Sequence, residues 1–183
     1  MTNYKKFVSV LKNGTKQDKI KMLESLTNCE DPEILNLIIS KLDDSEIEVR
    51  GEAFSSLVLN ENKISETLIS NLKSESKNIR GFSALVLANR QNPESIPSII
   101  PLTKDESSMV RTCALGALGY LKAQQASEAI EKCFADSNLE VKKSALKAAI
   151  DIGEILPTEV IKELKKESDP ELDKLLILAK KKS

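Results

Sequence analysis

The side chains able to do chemistry here are carboxylates, cations and three thiols, because the chain contains no histidine. That absence removes the commonest general base, the commonest zinc and iron ligand, and the catalytic triads built on imidazole. The cysteines, Cys29, Cys113 and Cys133, stand far apart with no paired spacing. An odd, scattered set inside apolar patterns fits reduced thiols buried as small core residues, rather than a disulfide framework or a metal site. The charges are ordered. A basic residue recurs at Arg50, Arg80, Arg111 and Lys142, an interval of about 31 residues, and six positions before each stands Asp44, Ser74, Asp105 or Asp136. Because this spacing recurs in every unit, it points to a structural duty and away from a catalytic residue. No catalytic, cofactor-binding or metal-binding set is expected.

Around these charges the apolar pattern repeats as well. Val49, Ala53, Phe54 and Leu57 form a helical stripe, which returns as Ile79, Ser83, Ala84, Leu87, then Val110, Ala114, Leu115, Leu118, then Val141, Ala145, Leu146, Ala149. This is helix A of each unit. A second helix, B, precedes it and ends on Leu42, Leu72 or Phe134, with an inner face of Ile34, Leu35, Ile38 and Ile39 in one unit and Ile64, Leu68 and Ile69 in the next. The register extends to both ends: Tyr4, Phe7, Val8 and Leu11 match a B helix, while Leu172, Leu176 and Ile177 match an A helix with Asp173 at the basic position. A fixed period of this length is the signature of a solenoid, in which no unit buries its apolar face alone. The expectation is an all-α, right-handed superhelix of about twelve helices, alternating B and A, as a single domain over residues 1–183.

Punctuation agrees. Pro32, Pro157 and Pro170 fall where first helical turns should begin, with Asp31, Thr158 and Asp169 nearby as caps or first-turn residues. Pro97 and Pro101 should shorten or kink the B helix near residue 100. Gly116 and Gly119 would each weaken helix A, a cost that close approach of a neighbouring helix would offset.

With 27 Lys plus Arg against 28 Asp plus Glu, there is no global field to draw the chain onto nucleic acid or an anionic membrane. Aromatics are 3% and Trp is absent, which leaves little for stacking on bases or flat cofactors. Apolar runs are too short to span a bilayer, and no signal-peptide pattern opens the chain. The expected setting is cytoplasmic, with no nucleic-acid and no membrane partner.

The string from Asp105 to Gly119, with its opening acid, Val110-Arg111, and an Ala-rich stretch ending in Leu118-Gly119, resembles the HEAT-like repeat of phycobilisome-lyase-type proteins. The resemblance is strongest over 44–153 and implies a HEAT-like solenoid. It also implies a ladder in which each acid accepts bonds from backbone amides and from a neighbouring arginine. Carried over, the acids are Asp44, Asp105 and Asp136, and the cations Arg50, Arg80, Arg111 and Lys142, with Ser74 and Asp173 departing from the pattern. HEAT-like hydroxylases need His-Glu metal motifs, and HEAT-like DNA glycosylases a cationic, aromatic face; this chain carries neither.

Function is therefore expected on a recognition surface. The outward residues of the B helices would meet a protein partner: Asn36, Ser40, Lys41, Glu66, Ser70, Asn71, Glu128, Lys132, Glu159, Lys162 and Lys166. The reading is a non-enzymatic scaffold for protein–protein interaction through this concave face. Its alternative is a bilin-lyase-like chromophore-handling protein, or a subunit of such an enzyme. The consecutive Leu175, Leu176, Ile177 and Leu178 cannot all face one neighbour, so weak self-association through the last helix is expected too.

Overall fold

The computed structural model describes residues 3–182 and divides into two compact units, Met1–Arg90 and Gln91–Ser183. The first holds α1 (Asn3–Asn13), α2 (Lys16–Ser25), α3 (Pro32–Ser40), α4 (Ile47–Leu59), α5 (Ser65–Asn71) and α6 (Lys77–Asn89). The second holds α7 (Ile96–Ile99), α8 (Ser108–Tyr120), α9 (Ser127–Lys132), α10 (Leu139–Ile152), α11 (Thr158–Leu164) and α12 (Pro170–Lys182). Among the described residues there are twelve α-helices and no strand. Odd-numbered helices are type B and even-numbered ones type A.

Local chemistry sets the boundaries. Thr15 and Asp18 form a reciprocal capping box at the start of α2, and Asp31 accepts from the amides of Glu33 and Ile34 with Pro32 in the first turn of α3. Asp169 does the same for Glu171 and Leu172 ahead of α12, and Asn138 for Glu140 and Val141 at α10. Thr158 is the first residue of α11 and supplies no side-chain cap. Gly153, at φ 80°, ends α10 in the left-handed conformation that a side chain disfavours. Around Pro97 and Pro101 only the four residues Ile96–Ile99 stay α-helical, and tighter 3-10 turns over Pro93–Ser95 and Ile100–Lys104 flank them. Pro97 sits harmlessly in the first turn, whereas Pro101 lacks the amide that would bond to the carbonyl at 97, which explains that short B helix.

Each unit buries its own apolar core. In the first, α2 packs on α4 and α4 on α6, with Leu23, Val49, Ala53, Leu57, Ala84 and Leu87 fully enclosed. In the second, α10 lies between α8 and α12, and Val110, Ala114, Leu118, Val141, Ala145 and Leu172 are enclosed. Gly119 explains how closely α8 and α10 approach: a Cβ there would stand 3.0 Å from the Ala148 Cα. Gly116 differs in being exposed. Among the described residues no helix is long and apolar enough to cross a membrane.

Candidate functional site

The loop ahead of each A helix carries the repeated charges. Asp44, Asp105 and Asp136 each accept a bond from the backbone amide two residues on, at Glu46, Ser107 and Asn138, and Ser74 uses its hydroxyl in the same way toward Ser76. The cation six residues later turns back on its own loop. Arg50 donates to the carbonyls of Asp44 and Ser45, Arg80 to those of Ser74 and Glu75, and Arg111 to those of Asp105 and Glu106. Acid and cation thus satisfy loop backbone groups that no helix bonds, and buried backbone groups left unpaired are costly.

Carboxylates and cations also meet between repeats, 25 residues apart. Arg111 forks onto Asp136 through Nε at 2.7 Å and Nη2 at 2.9 Å, and Lys142 pairs with Glu167. In the first unit the partner of Asp44 is Lys19 at 2.9 Å, joined by Lys41 at 3.2 Å. Where the last repeat carries Asp173 at the basic position, Lys143 instead gathers Glu140, Asp169 and Glu171 at 3.0 to 3.2 Å. Lys19 and Glu167 were recoverable from the sequence: Lys19 stands as far before Asp44, and Glu167 as far after Lys142, as Arg111 before Asp136.

The electrostatics follow the geometry. Burial pushes the Asp44 carboxyl up, but Lys19, the Glu46 amide and Lys41 together hold it below the usual carboxylate range. Asp136 behaves alike, with burial outweighed by Arg111 and the Asn138 amide. Such groups stay ionised and stay paired at neutral pH, which suits a structural row and not proton transfer. Burial raises the Cys113 thiol to about 11 and, helped by Asp136, raises Cys133 also, so neither is a thiolate nucleophile. Glu154 is raised by burial first and by Glu131 next, while Ser127 donates to its Oε1 at 2.9 Å. Among the described residues no group of three or more acids or thiols is placed to hold a metal ion.

The outward B-helix residues fall into two sets. In the first unit most are engaged within the chain: Lys41 on Asp44, Asn71 on Asn36 at 3.0 Å, Ser40 on the Leu37 carbonyl and Ser70 on the Glu66 carbonyl. Glu66 is exposed. In the second unit Glu128, Lys132, Glu159, Lys162 and Lys166 are all exposed, with Lys132 on Glu128 and Lys166 on Glu163, both at 2.5 Å. Between α9 and α11 a groove of about 570 Å³ opens, and Lys132 and Glu159 line it. Its apolar lining is Phe134, Ala135, Val160 and Leu164; its carboxylates are Glu131, Glu159, Glu163 and Glu167. Outward polar register alone did not reveal those apolar residues. They belong to the turn after α9 and to α11, where Val160 is half-buried and Leu164 buried.

Residues 65–151 match the family of HEAT repeats. That stretch is HEAT-like. Solved structures share the chain's fold at low identity. The complex of CpcE and CpcF of phycocyanin lyase from Nostoc sp. PCC7120 is 17% identical at a TM-score of 0.68, covering 82% of this chain and 99% of that one. A designed armadillo repeat protein in complex with the peptide (KR)4 is 18% identical at 0.56, covering 97% and 98%. An engineered protein is 19% identical at 0.56, covering 100% and 96%. No curated protein matches the chain by sequence. These likenesses show an all-α fold of the HEAT and armadillo repeat class, and at these identities they show the fold alone.

Proposed function

We propose that the chain is a non-enzymatic interaction module whose B-helix face holds an extended segment of another protein. The observation that carries this reading is the groove between α9 and α11, which joins an apolar lining to convergent charges, the usual make-up of a recognition site. Its charges favour a basic segment. Four carboxylates line it against Lys132 and Lys142, and Lys142 is already paired with Glu167. The similar designed armadillo repeat protein with a bound (KR)4 peptide supports the same chemistry.

Titration with fluorescent Lys/Arg-rich and Asp/Glu-rich peptides tests it. The basic peptide should bind the wild type, and Glu131→Lys with Glu159→Lys should weaken it at least tenfold, about 1.4 kcal/mol. Val160→Asp should weaken it too, by placing a charge in the apolar lining. Equal binding of acidic and basic peptides, or indifference to the double reversal, would overturn the reading. The chromophore-handling alternative draws on the fold shared with phycocyanin lyase subunits. A visible absorbance shift on mixing the chain with a free bilin would favour it.

A further inference from the structure

The groove between α4 and α6, about 290 Å³ and lined by Ile47, Arg50, Gly51, Phe54, Phe82 and Leu85, has no carboxylate in its lining. The groove between α9 and α11 has four, and one of them, Glu131, has a fifth beside it. That fifth is Glu154. It follows Gly153, whose left-handed turn ends α10, and its amide donates to the Ala149 carbonyl at 2.9 Å. The turn delivers the side chain to α9: Ser127, the first residue of that helix, donates to Oε1 at 2.9 Å. Glu131 stands four residues further on, hence on the same face of α9, and its carboxylate lies within hydrogen-bond reach of Glu154. The other oxygen of Glu154, Oε2, is buried and receives no donor.

A buried oxygen without a donor is costly, and two carboxylates in contact resist carrying two charges. One proton answers both problems: carried on Glu154, it is donated to Glu131. No protein cation competes for that place. Among the described residues none pairs with Glu154. On α9 Lys132 is held by Glu128, and at the end of α10 Asp151 is turned to Lys147 and to Lys122. On α11 the groove-lining acids are Glu159 and Glu163, the latter held by Lys166, and beyond it Glu167 pairs with Lys142.

We propose, on the reading that this groove holds a basic segment, that binding the segment expels the proton shared by Glu131 and Glu154, so that the chain holds its partner at neutral pH and releases it in acid. The O–H bond of the acid breaks, the proton passes to solvent, and the two negative charges left on the pair face a lysine or arginine of the segment. Burial first and Glu131 second hold the Glu154 carboxyl above its usual value, so the exchange begins above the ordinary carboxylate range. The segment and the proton weaken each other by the same factor.

Isothermal titration calorimetry of the full chain with a Lys/Arg-rich peptide, from pH 5 to pH 7 and in two buffers of different ionisation enthalpy at each pH, tests this. Wild type should release protons on binding and bind about threefold or more tightly at pH 7 than at pH 5. Glu154→Gln keeps an acceptor for Ser127 and fixes the pair in the charge state of its protonated form. It should release fewer protons and lose most of the gain at pH 7, with circular dichroism melts confirming that it folds. Ser127→Ala removes a donor that favours the ionised acid, so it should move proton release to higher pH. Proton release and pH dependence that are equal in wild type and Glu154→Gln overturn the proposal and leave the basic partner in place. Absence of binding to wild type at every pH overturns the reading of the groove together with the proposal.

Discussion

Two pairs of neighbouring A helices, α4 with α6 and α8 with α10, share a sequence pattern and differ in how tightly they close. In the second pair Gly119 lets the backbones meet, with a missing Cβ only 3.0 Å from Ala148. In the first, Gly51 leaves open space and the flanking Phe54, Phe82 and Leu85 are only half-buried. The same residue type thus marks contact in one unit and vacancy in the other. A glycine in a helix says that a side chain is unwanted there; only the neighbouring surface says why.

The largest expected effect breaks the closed pair. Leu118 is fully enclosed, so Leu118→Ala should cost about 2–5 kcal/mol in urea melts, while Leu85→Ala on the open groove should cost about 1 kcal/mol, since its side chain already meets water. Equal losses would erase the distinction. The glycines sharpen it further. Gly119→Leu should cost about 1–3 kcal/mol by overpacking against a backbone atom that cannot turn aside. Gly51→Ala should stabilise by up to about 1 kcal/mol, the helix preference of alanine over glycine with no clash to oppose it. Loss of stability on Gly51→Ala in the same melts would mean that the groove closes in solution.

The charged loops offer the same contrast in chemistry. Asp136 takes a forked guanidinium and Asp44 takes two ammonium groups, yet both carboxylates cap the amide two residues on. The amide bond is the constant and the cation the variable. Arg111→Lys should therefore cost about 1–2 kcal/mol, because the fork and the bonds to the Asp105 and Glu106 carbonyls depend on planar geometry. Lys19→Arg should change stability by less than about 0.5 kcal/mol. A larger loss at Lys19 would show that Asp44 needs compact ammonium partners.

Period and apolar stripes make most of the fold legible in the sequence: the alternation of B and A helices, Leu42, Leu72 and Phe134 closing their B helices, and the disruption at Pro97 and Pro101 all follow from local rules. Positions within a repeat were legible because each is copied about 31 residues on. Pairings that leave the repeat were not. Lys143 reaching three carboxylates depends on how α10 and α12 meet, and the grooves at α4/α6 and α9/α11 join buried, half-buried and exposed residues whose juxtaposition no periodic pattern fixes. The B-face list suffered similarly. Lys41 has an outward register, but its chain is long enough to fold back onto Asp44.

A further small effect separates the units by pH. Asp44 and Asp136 are held below their ordinary value, so in each unit the unfolded chain binds more protons across the acid range. Their stabilisation is present above the unfolded carboxylate pKa, about 3.9, and is lost as pH falls through the lower folded values. Glu154 in the second unit has the opposite sign. Its folded pKa is raised, so the folded state binds the extra proton, and stability falls as pH rises through the unfolded glutamate value, about 4.3, toward the folded one. Glu154→Gln keeps an acceptor for Ser127 and removes the charge that burial and Glu131 disfavour. It should raise stability at pH 7 by less than about 1 kcal/mol and leave it unchanged below pH about 4, as read by urea midpoints across pH. A gain that is equal at both pH values would assign the effect to packing and not to the proton.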